Sequence, residues 1–323
     1  MVQSMRALAG RWGITRADAL GLLGVAIFAG TYPATRIAMA GGVDPVLNAS
    51  ARILGAGLLA ALVLTLTRLR HPGWVRWPRW AEVPAFLGVG VGVGLIFPLG
   101  LGFALCHVPA SHGAVVMAAL PLATTMYACL RGGSAWPGLR FWGAGLAAAA
   151  LVLVFAGRHA GGVTTATPML ADGLLVLAML GAAMGYVEGA RLTTTTRPGW
   201  QVISWALVLL VPMVAPVAIV SLIQAQGIGA AAWIGLGYGT LFSMYLGFFP
   251  WYRAMQLAGV VRISQIQYVQ PFLAIIYAVI LLGERVDLVD LLLVLGVVGT
   301  IAWGRRRPQP RVDQSMMAGA VRP

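Results

Sequence analysis

Long apolar blocks separated by short polar connections run along almost the whole chain. Runs of roughly 18 or more apolar residues with few charges are typical of transmembrane helices. The short connections favour antiparallel packing of helices that follow one another in the chain. The pattern predicts an all-α integral membrane protein with ten transmembrane helices, at about 19–40, 45–67, 83–106, 110–130, 140–157, 170–191, 200–223, 231–252, 261–283 and 287–304.

The composition agrees with this pattern. Apolar residues make up 59% of the chain and charged residues 10%, whereas a soluble domain has about 25% charged residues. Too little polar surface is therefore available to face water on all sides. The length would accommodate two soluble domains, but the apolar blocks leave no room for them.

The basic residues indicate membrane topology rather than nucleic-acid binding. The net charge is +13, and all 22 residues of the Lys and Arg types are arginines. They fall between the apolar blocks, where the positive-inside rule places them. With a cytoplasmic N-terminus, the opposite side holds only Arg158 and Arg285. The sequence therefore predicts an inner (plasma) membrane protein with both termini in the cytoplasm, in which 1–18 is an N-terminal segment and 306–323 a disordered tail.

Neither a metal centre, a cofactor nor a disulfide is expected. Cys106 and Cys129 are placed near opposite ends of adjacent antiparallel helices, about 30 Å apart and far beyond disulfide reach. They are predicted to be apolar packing residues, and the four histidines lie apart from both. The first apolar stretch is long and lacks a cleavage signature, so it is predicted to remain as the first helix.

The two halves of the chain repeat a pattern of glycines and prolines. Alternating glycines, a Phe-Pro dipeptide and a later proline recur in the same order about 150 residues apart. Each copy, 19–158 and 168–305, then contains five helices. An odd number inverts the second copy in the membrane, as in many secondary transporters. The matched positions are Gly88, Gly90 and Gly92 with Gly235, Gly237 and Gly239; Phe97 and Pro98 with Phe249 and Pro250; and Pro121 with Pro271.

The stretch 267–306 resembles the EamA-type ten-helix exporters of the drug/metabolite transporter superfamily. It contains a ninth helix with a proline, the triplet "LGE" that ends in Glu284, and a last helix with glycines. Arg36 and Arg52 resemble basic residues late in the family's first helix and early in its second. The first half departs from the pattern, because "GGS" at 132–134 replaces the triplet and supplies no acid.

This resemblance covers roughly residues 19–305. It implies two pseudo-symmetric five-helix halves arranged as a basket around a central cavity. It also implies export of amino acids or similar metabolites, without fixing a substrate.

Charged side chains inside a membrane are functional candidates by default, but depth changes the expectation for three of them. Arg36 and Arg52 are placed near the outer ends of their helices, where they can snorkel or pair with Asp44 or Glu284. We therefore predict structural charge pairs that involve Arg36, Arg52 and Glu284.

Glu188 is the deepest acid and the candidate for proton coupling. Membrane-embedded acids are costly and commonly serve proton relays. An ion pair with Arg191, three positions later on the same helix face, is the structural alternative.

Neutral polar and aromatic side chains at middle depths are the candidate binding groups. Aromatic walls with a few hydrogen-bonding groups suit a small amphipathic solute. On the ninth helix, Pro271 removes the amide that would bond to the carbonyl of Gln267, and that carbonyl could face a cavity. Helix–helix hydrogen bonding is the alternative role. The predicted binding residues are Tyr32, Tyr186, Tyr245, Ser264, Gln267 and Tyr268, and other polar groups at these depths are Thr31, Ser243 and Gln270.

Prolines and glycines have two open interpretations. Kinks at proline serve both the fold and its motion. The glycine runs are predicted to let helices approach closely, with a deformable wall during transport as the alternative. The candidate kink residues are Pro33, Pro98, Pro121, Pro250 and Pro271.

These observations favour a secondary carrier that exports a small amphipathic metabolite, such as an amino acid, by alternating access. A lipid-linked or nucleotide-sugar-type flippase or antiporter of the same fold is the alternative. An enzyme is disfavoured because no nucleophile with its base and no metal cluster occurs. The sequence shows no ring of charge, which a channel would be expected to have. It also has no lysine, which the phosphate-binding motif of a nucleotide-driven pump requires. The expected partners are a small solute and bilayer lipid. The oligomeric state is not predicted, and a monomer is compatible with the sequence.

Overall fold

Every regular element in the described part of the chain is helical. The computed structural model describes residues 15–108, 113, 117–159, 168–282 and 288–304. Six helical stretches within these ranges are long and apolar enough to cross a membrane, judged by length and composition. The structure is therefore that of an all-helical, multi-pass membrane protein.

The first half (15–159) begins with a helix that is divided at Gly30. Its helices are α1 (Arg16–Ala29), α2 (Thr31–Ala40), α3 (Pro45–Arg70), α4 (Val83–Val89), α5 (Phe97–His107), α6 (Leu120–Leu130) and α7 (Leu139–His159). A π-helical segment, the first π segment (Gly90–Ile96), joins α4 to α5, and 3-10 turns at Trp80–Glu82 and Met117–Ala119 precede α4 and α6.

The second half (168–304) likewise has a π segment followed by a 3-10 segment. Its helices are α8 (Pro168–Leu192), α9 (Gly199–Gln224), α10 (Ala230–Tyr238), α11 (Phe248–Ala258), α12 (Val260–Ser264), α13 (Gln270–Leu282) and α14 (Leu288–Gly304). The second π segment (Gly239–Leu246) lies between α10 and α11, and a 3-10 segment (Gln265–Val269) lies between α12 and α13.

Local sequence sets where the helices begin. At the start of α1, the Thr15 hydroxyl accepts from the Asp18 amide, and the Asp18 carboxylate accepts from the Thr15 amide. This reciprocal cap satisfies two amides that the helix leaves free. At the start of α3, Asp44 accepts from the amides of Val46 and Leu47, and Pro45 takes the first helical position.

The matched prolines coincide with changes of helix type. Pro98 and Pro250 each follow a π segment, whereas Pro121 and Pro271 each follow a 3-10 segment. A proline cannot bond to the carbonyl four residues before it, and the altered turn lies at that carbonyl. The expected free carbonyl at Gln267 is not found, because the Gln270 amide donates to it across the 3-10 segment. Local helix geometry, rather than a solute, satisfies this acceptor.

Helices of the two halves pack against each other in pairs. The pairs are α1 with α11, α2 with α10, α3 with α9, α5 with α8, α6 with α12, and α7 with α14. Several of these close contacts between helices depend on glycine. A Cβ at Gly92 would collide with the carbonyl of Gly181, and one at Gly235 would lie 2.5 Å from the carbonyl of Ala34. The packing interpretation therefore holds for these two glycines, whereas a Cβ at Gly237 would have no neighbour within 4 Å.

Ion pairs gather at the end of the bundle where α1 begins, which we call the α1 end. Arg262 of α12 contacts Asp18 of α1 at 2.8 Å, and Arg197, just before α9, contacts Glu82, just before α4, at 2.9 Å. These contacts connect chain segments that begin or end at the same end of the bundle.

Candidate functional site

A small cavity lies at the junction of the two halves. Both π segments contribute to its wall, together with residues from α1, α2, α3, α5, α6, α8, α11 and α13. Its lining residues are Phe28, Thr31, Arg52, Val93, Phe97, Met117, Leu120, Ala182, Tyr186, Ser243, Met244, Phe248 and Gln270.

Arg52 carries the positive charge of this cavity. Only 1% of the residue is exposed. Its Nη2 donates to the hydroxyl of Ser243 at 3.0 Å, and that hydroxyl lies 2.7 Å from the hydroxyl of Thr31. The absence of a side chain at Gly239 makes room for the guanidinium, since a Cβ there would lie 3.1 Å from Arg52 Nε. The second π segment thus shapes the pocket that holds this arginine.

Arg52 is placed differently from the sequence prediction. It is buried at the cavity rather than snorkelling to a helix end, and Asp44 bonds to the backbone of α3 instead of to Arg52. Arg36 is exposed and donates to the carbonyl of Leu105 at 2.9 Å. The proposed partner Glu284 lies outside the described residues. The expected pairing of Arg52 with Asp44 is therefore corrected to a hydrogen bond with Ser243.

Two glutamines supply further polar groups at or close to the cavity wall. The side-chain nitrogen of Gln270 lies 3.4 Å from the hydroxyl of Tyr32, at the long end of hydrogen-bond distances. The side chain of Gln267 lies beside Tyr186, yet its amide nitrogen and oxygen have no hydrogen-bond partner among the described residues. Both glutamine side chains can still form hydrogen bonds to a solute.

Aromatic rings form another part of the cavity wall. The rings of Phe28 and Tyr186 stack with their centroids 6.0 Å apart, and Phe248 approaches Phe28 at 5.0 Å. Trp251 packs behind them, 5.4 Å from Tyr186. Such a wall favours the apolar body of an amphipathic molecule.

The cavity is nearly closed in this conformation. The room left for the centre of a water molecule is about 10 Å³, which is about the minimum for one water. A metabolite therefore does not fit in the cavity in this conformation.

Three predicted binding residues point to neighbouring helices instead of the cavity. The hydroxyl of Tyr245 lies 2.8 Å from that of Ser204 on α9, and the hydroxyl of Ser264 lies 3.2 Å from that of Thr125 on α6. The hydroxyl of Tyr268 lies against α7, 3.0 Å from where a Cβ at Gly145 would be. Tyr245 and Ser264 thus form hydrogen bonds between helices, whereas the Tyr268 hydroxyl has no hydrogen-bond partner among the described residues. Of the other three, Tyr186 lines the cavity, and Tyr32 and Gln267 contact side chains that do.

Glu188 lies at the α1 end, among positive charges. Its Oε1 is 2.6 Å from Arg131 Nε and 3.6 Å from Arg191 Nη1, and it accepts a hydrogen bond from the hydroxyl of Tyr127 at 3.1 Å. The hydrogen bond to this carboxylate raises the pKa of the Arg131 guanidinium. The predicted contact with Arg191 is present, and the carboxylate is not part of the cavity wall.

The cysteines and histidines form no second site in the parts of the chain that the structure describes. No group of three or more His, Cys, Asp or Glu residues there is arranged to hold a metal ion. Cys106 is exposed and Cys129 is buried, and both are free thiols.

Comparison with known proteins identifies the family. Two segments, residues 15–156 and 169–303, match the EamA-like transporter family. The chain belongs to this family. The resemblance of residues 267–306 to the drug/metabolite transporters is thereby confirmed, and the protein is a membrane transporter, not an enzyme.

Two individual comparisons agree with the family assignment. The transporter is 36% identical over 287 residues to the uncharacterized transporter YdeK of Bacillus subtilis (strain 168), covering 88% of this chain and 96% of that protein. A solved crystal structure, described only as that of a protein, matches with a TM-score of 0.68 over 90% of this chain and 96% of that chain. At 17% identity, this second likeness shows a shared fold.

Proposed function

We propose that the transporter is a secondary carrier that exports a small amphipathic metabolite, such as an amino acid or related compound, by alternating access. The observation that carries the proposal is the cavity between the halves. It sets Arg52, Thr31 and Ser243 against a wall that includes Phe28 and Phe248. A concave site with apolar walls and a few convergent polar groups is the usual form of a small-molecule site.

The packing of the halves supports an inverted repeat of two five-helix units, 19–158 and 168–305. Exchanging the halves leaves the pattern of helix pairs unchanged. The pairs α3–α9 and α7–α14 each join a helix to its own counterpart, and α6 pairs with α12, which leads through a 3-10 segment into its counterpart α13. The pairing of α1 with α11 corresponds to that of α8 with α5. Together with an odd number of helices in each unit, this favours the inverted architecture of secondary carriers.

The α1 end supplies the contacts that alternating access has to break. Three ion pairs there join one half to the other: Asp18–Arg262, Glu82–Arg197 and Glu188–Arg131. Arginines in the connections at this end favour a cytoplasmic location for it. In this proposal the α1 end faces the cytoplasm of a cell whose inner membrane holds the transporter, and both termini lie on that side.

Cysteine labelling in the full-length protein tests the cavity. In a background without Cys106 and Cys129, we expect Gln267→Cys and Gln270→Cys to react with a small, charged, water-soluble thiol reagent. Ile276→Cys is the matched control on the same helix, because Ile276 is 48% exposed on the outer surface. Lipid should keep the reagent from this position.

Candidate metabolites for this test come from comparing the metabolites retained by cells with and without the transporter. A transported metabolite should slow labelling at 267 and 270 and leave 276 unaffected. The proposal fails if 267 and 270 react no faster than 276. It also fails if no metabolite from that comparison protects them.

A further inference from the structure

The guanidinium of Arg52 has more donors than the protein satisfies. Nη2 donates to Ser243, whereas Nε and Nη1 are buried and find no acceptor in the described ranges. An arginine keeps its proton in proteins, so the positive charge remains wherever the side chain lies. A buried charge of this kind is costly unless a partner compensates it.

The described carboxylates near the bundle ends are already engaged elsewhere. Asp44 accepts from two backbone amides at the start of α3. Asp18, Glu82 and Glu188 each contact an arginine at the α1 end. No described carboxylate lines the cavity that holds Arg52. Within the part of the chain that the structure describes, its charge is therefore not neutralised by the protein.

We propose that Arg52 is the anchor for an anionic group of the transported solute. This inference rests on the proposed function, because it assigns a chemical class to the solute of the same cavity. Nε or Nη1, which lie on different edges of the guanidinium, donates to an oxygen of a carboxylate, while Nη2 keeps its bond to the Ser243 hydroxyl next to Thr31. Intramembrane arginines characteristically serve as such counter-ions, and a guanidinium matches carboxylate geometry.

The remainder of the cavity specifies the other part of the solute. The rings of Phe28, Tyr186 and Phe248 line the same space. A molecule that satisfies both sides carries a carboxylate at one end and an apolar or aromatic body at the other. The chemistry assigned to the site is thus that of a small amphipathic carboxylate.

Binding to the purified full-length transporter tests the assignment with three probes. Phenylacetate carries both features, phenylacetamide has nearly the same shape without the charge, and chloride supplies an anion without the apolar body. We expect phenylacetate to raise the melting temperature and to bind at least tenfold more tightly than phenylacetamide, since hydrogen bonds to charged groups are worth about 10- to 100-fold each. Chloride at the same ionic strength should leave the melting temperature unchanged.

Substitutions locate the effect. Arg52→Gln should abolish the preference for phenylacetate without lowering the melting temperature of the free protein, because it removes a charge for which the described residues supply no counter-charge. Arg52→Lys should keep part of the preference. The matched control Arg36→Gln changes an exposed arginine that bonds to the backbone and should leave the preference intact.

Several outcomes overturn the assignment. Equal binding of phenylacetate and phenylacetamide, no binding of either, or a preference that persists in Arg52→Gln excludes an anchor at Arg52. Chloride that stabilises the protein as well as phenylacetate shows a site for an inorganic counter-ion only. Loss of folding in both Arg52 variants shows a structural arginine. If cysteines at 267 and 270 are still protected by metabolites, the carrier proposal survives each of these results.

Discussion

Two regions of the molecule use arginine in opposite ways. At the α1 end, Arg131 and Arg262 expose 46% and 44% of their side chains, and each contacts a carboxylate. At the centre, Arg52 is 1% exposed, and its one hydrogen-bond partner among the described residues is a serine hydroxyl. The arginine that most needs a negative partner is thus the one to which the described protein supplies none.

The two regions therefore suit different roles. The ion pairs of the α1 end suit contacts that open and close, and the buried arginine suits recognition of an anion. Ion pairs with one exposed partner can break and reform as water enters, which suits contacts that open and close between two halves. A buried charge is screened far less, and its attraction for an anion is correspondingly stronger. Substitutions in the two regions should therefore differ in sign as well as in size.

The largest effect on stability is expected at the α1 end. Arg131→Gln leaves the carboxylate of Glu188, whose side chain is 6% exposed, with Tyr127 and a longer contact to Arg191. We expect a larger loss of stability than in the other variants, because the nearly buried carboxylate of Glu188 loses its nearest cation. Thermal or denaturant unfolding in detergent measures it. The control is Arg253→Gln, an exposed arginine on α11 that bonds only to Gln256 among described residues.

A double-mutant cycle with Glu188→Gln shows whether the loss comes from the pair. The double variant should lose less than the sum of the two single variants, and a coupling energy near zero would contradict the ion-pair assignment. The same Glu188→Gln protein tests the expected proton coupling. If that carboxylate carries it, transport by the folded variant loses its pH dependence, and an unchanged pH profile removes Glu188 from the mechanism.

The next prediction compares two glutamines that are equally buried, each 2% exposed. Gln201 is fully engaged: it donates to the Trp74 carbonyl at 2.7 Å and accepts from the Arg76 amide at 3.0 Å. Gln267 has no partner for either amide atom in the described structure. Gln201→Leu should therefore lower the free energy of unfolding by about 1–3 kcal/mol, the cost of unmet buried polar groups.

Gln267→Leu should do the opposite. It removes two unsatisfied groups, so the free protein should be at least as stable, while solute binding weakens by about 1–3 kcal/mol if Gln267 bonds to the solute. Unfolding of both variants, with and without phenylacetate, measures the two effects. Equal destabilisation by the two substitutions would show that Gln267 has a structural partner.

The sequence predicted an all-helical membrane protein because apolar length alone marks a membrane span, and six stretches in the described residues are long and apolar enough to cross a membrane. It also predicted the matched positions of Pro98 with Pro250 and of Pro121 with Pro271, at which the structure changes helix type. It did not predict which type occurs. π and 3-10 turns depend on small differences in local geometry, and proline indicates only that the regular ladder is interrupted.

The candidate site was harder to predict, because helices that are apolar all round carry no signal for their rotation. Ser264 and Tyr268 were predicted to be binding residues of a regular ninth helix, but a 3-10 segment at Gln265–Val269 changes the helical period there. Arg52 was predicted to lie near the outer end of its helix. The helix was predicted to start at 45, as α3 does, so Arg52 lies about two turns, or 10 Å, along the axis in both cases. The apolar pattern did not predict that its side chain turns into the cavity.

The smallest expected effect concerns the space beside Arg52, and two glycines on one helix provide the test. A Cβ at Gly239 would lie 3.1 Å from Nε and 3.2 Å from Cδ and Cζ of Arg52, whereas a Cβ at Gly237 would meet nothing within 4 Å. Alanine in place of glycine should stabilise either helical position by about 0.5–1 kcal/mol through backbone entropy. Only Gly239→Ala should also displace the guanidinium by a few tenths of an ångström. We therefore expect Gly239→Ala to weaken phenylacetate binding about fivefold, close to 1 kcal/mol, while Gly237→Ala binds as the unsubstituted protein does. Titration of the two purified variants measures the difference, and equal affinities would mean that the position of the Arg52 guanidinium does not control binding.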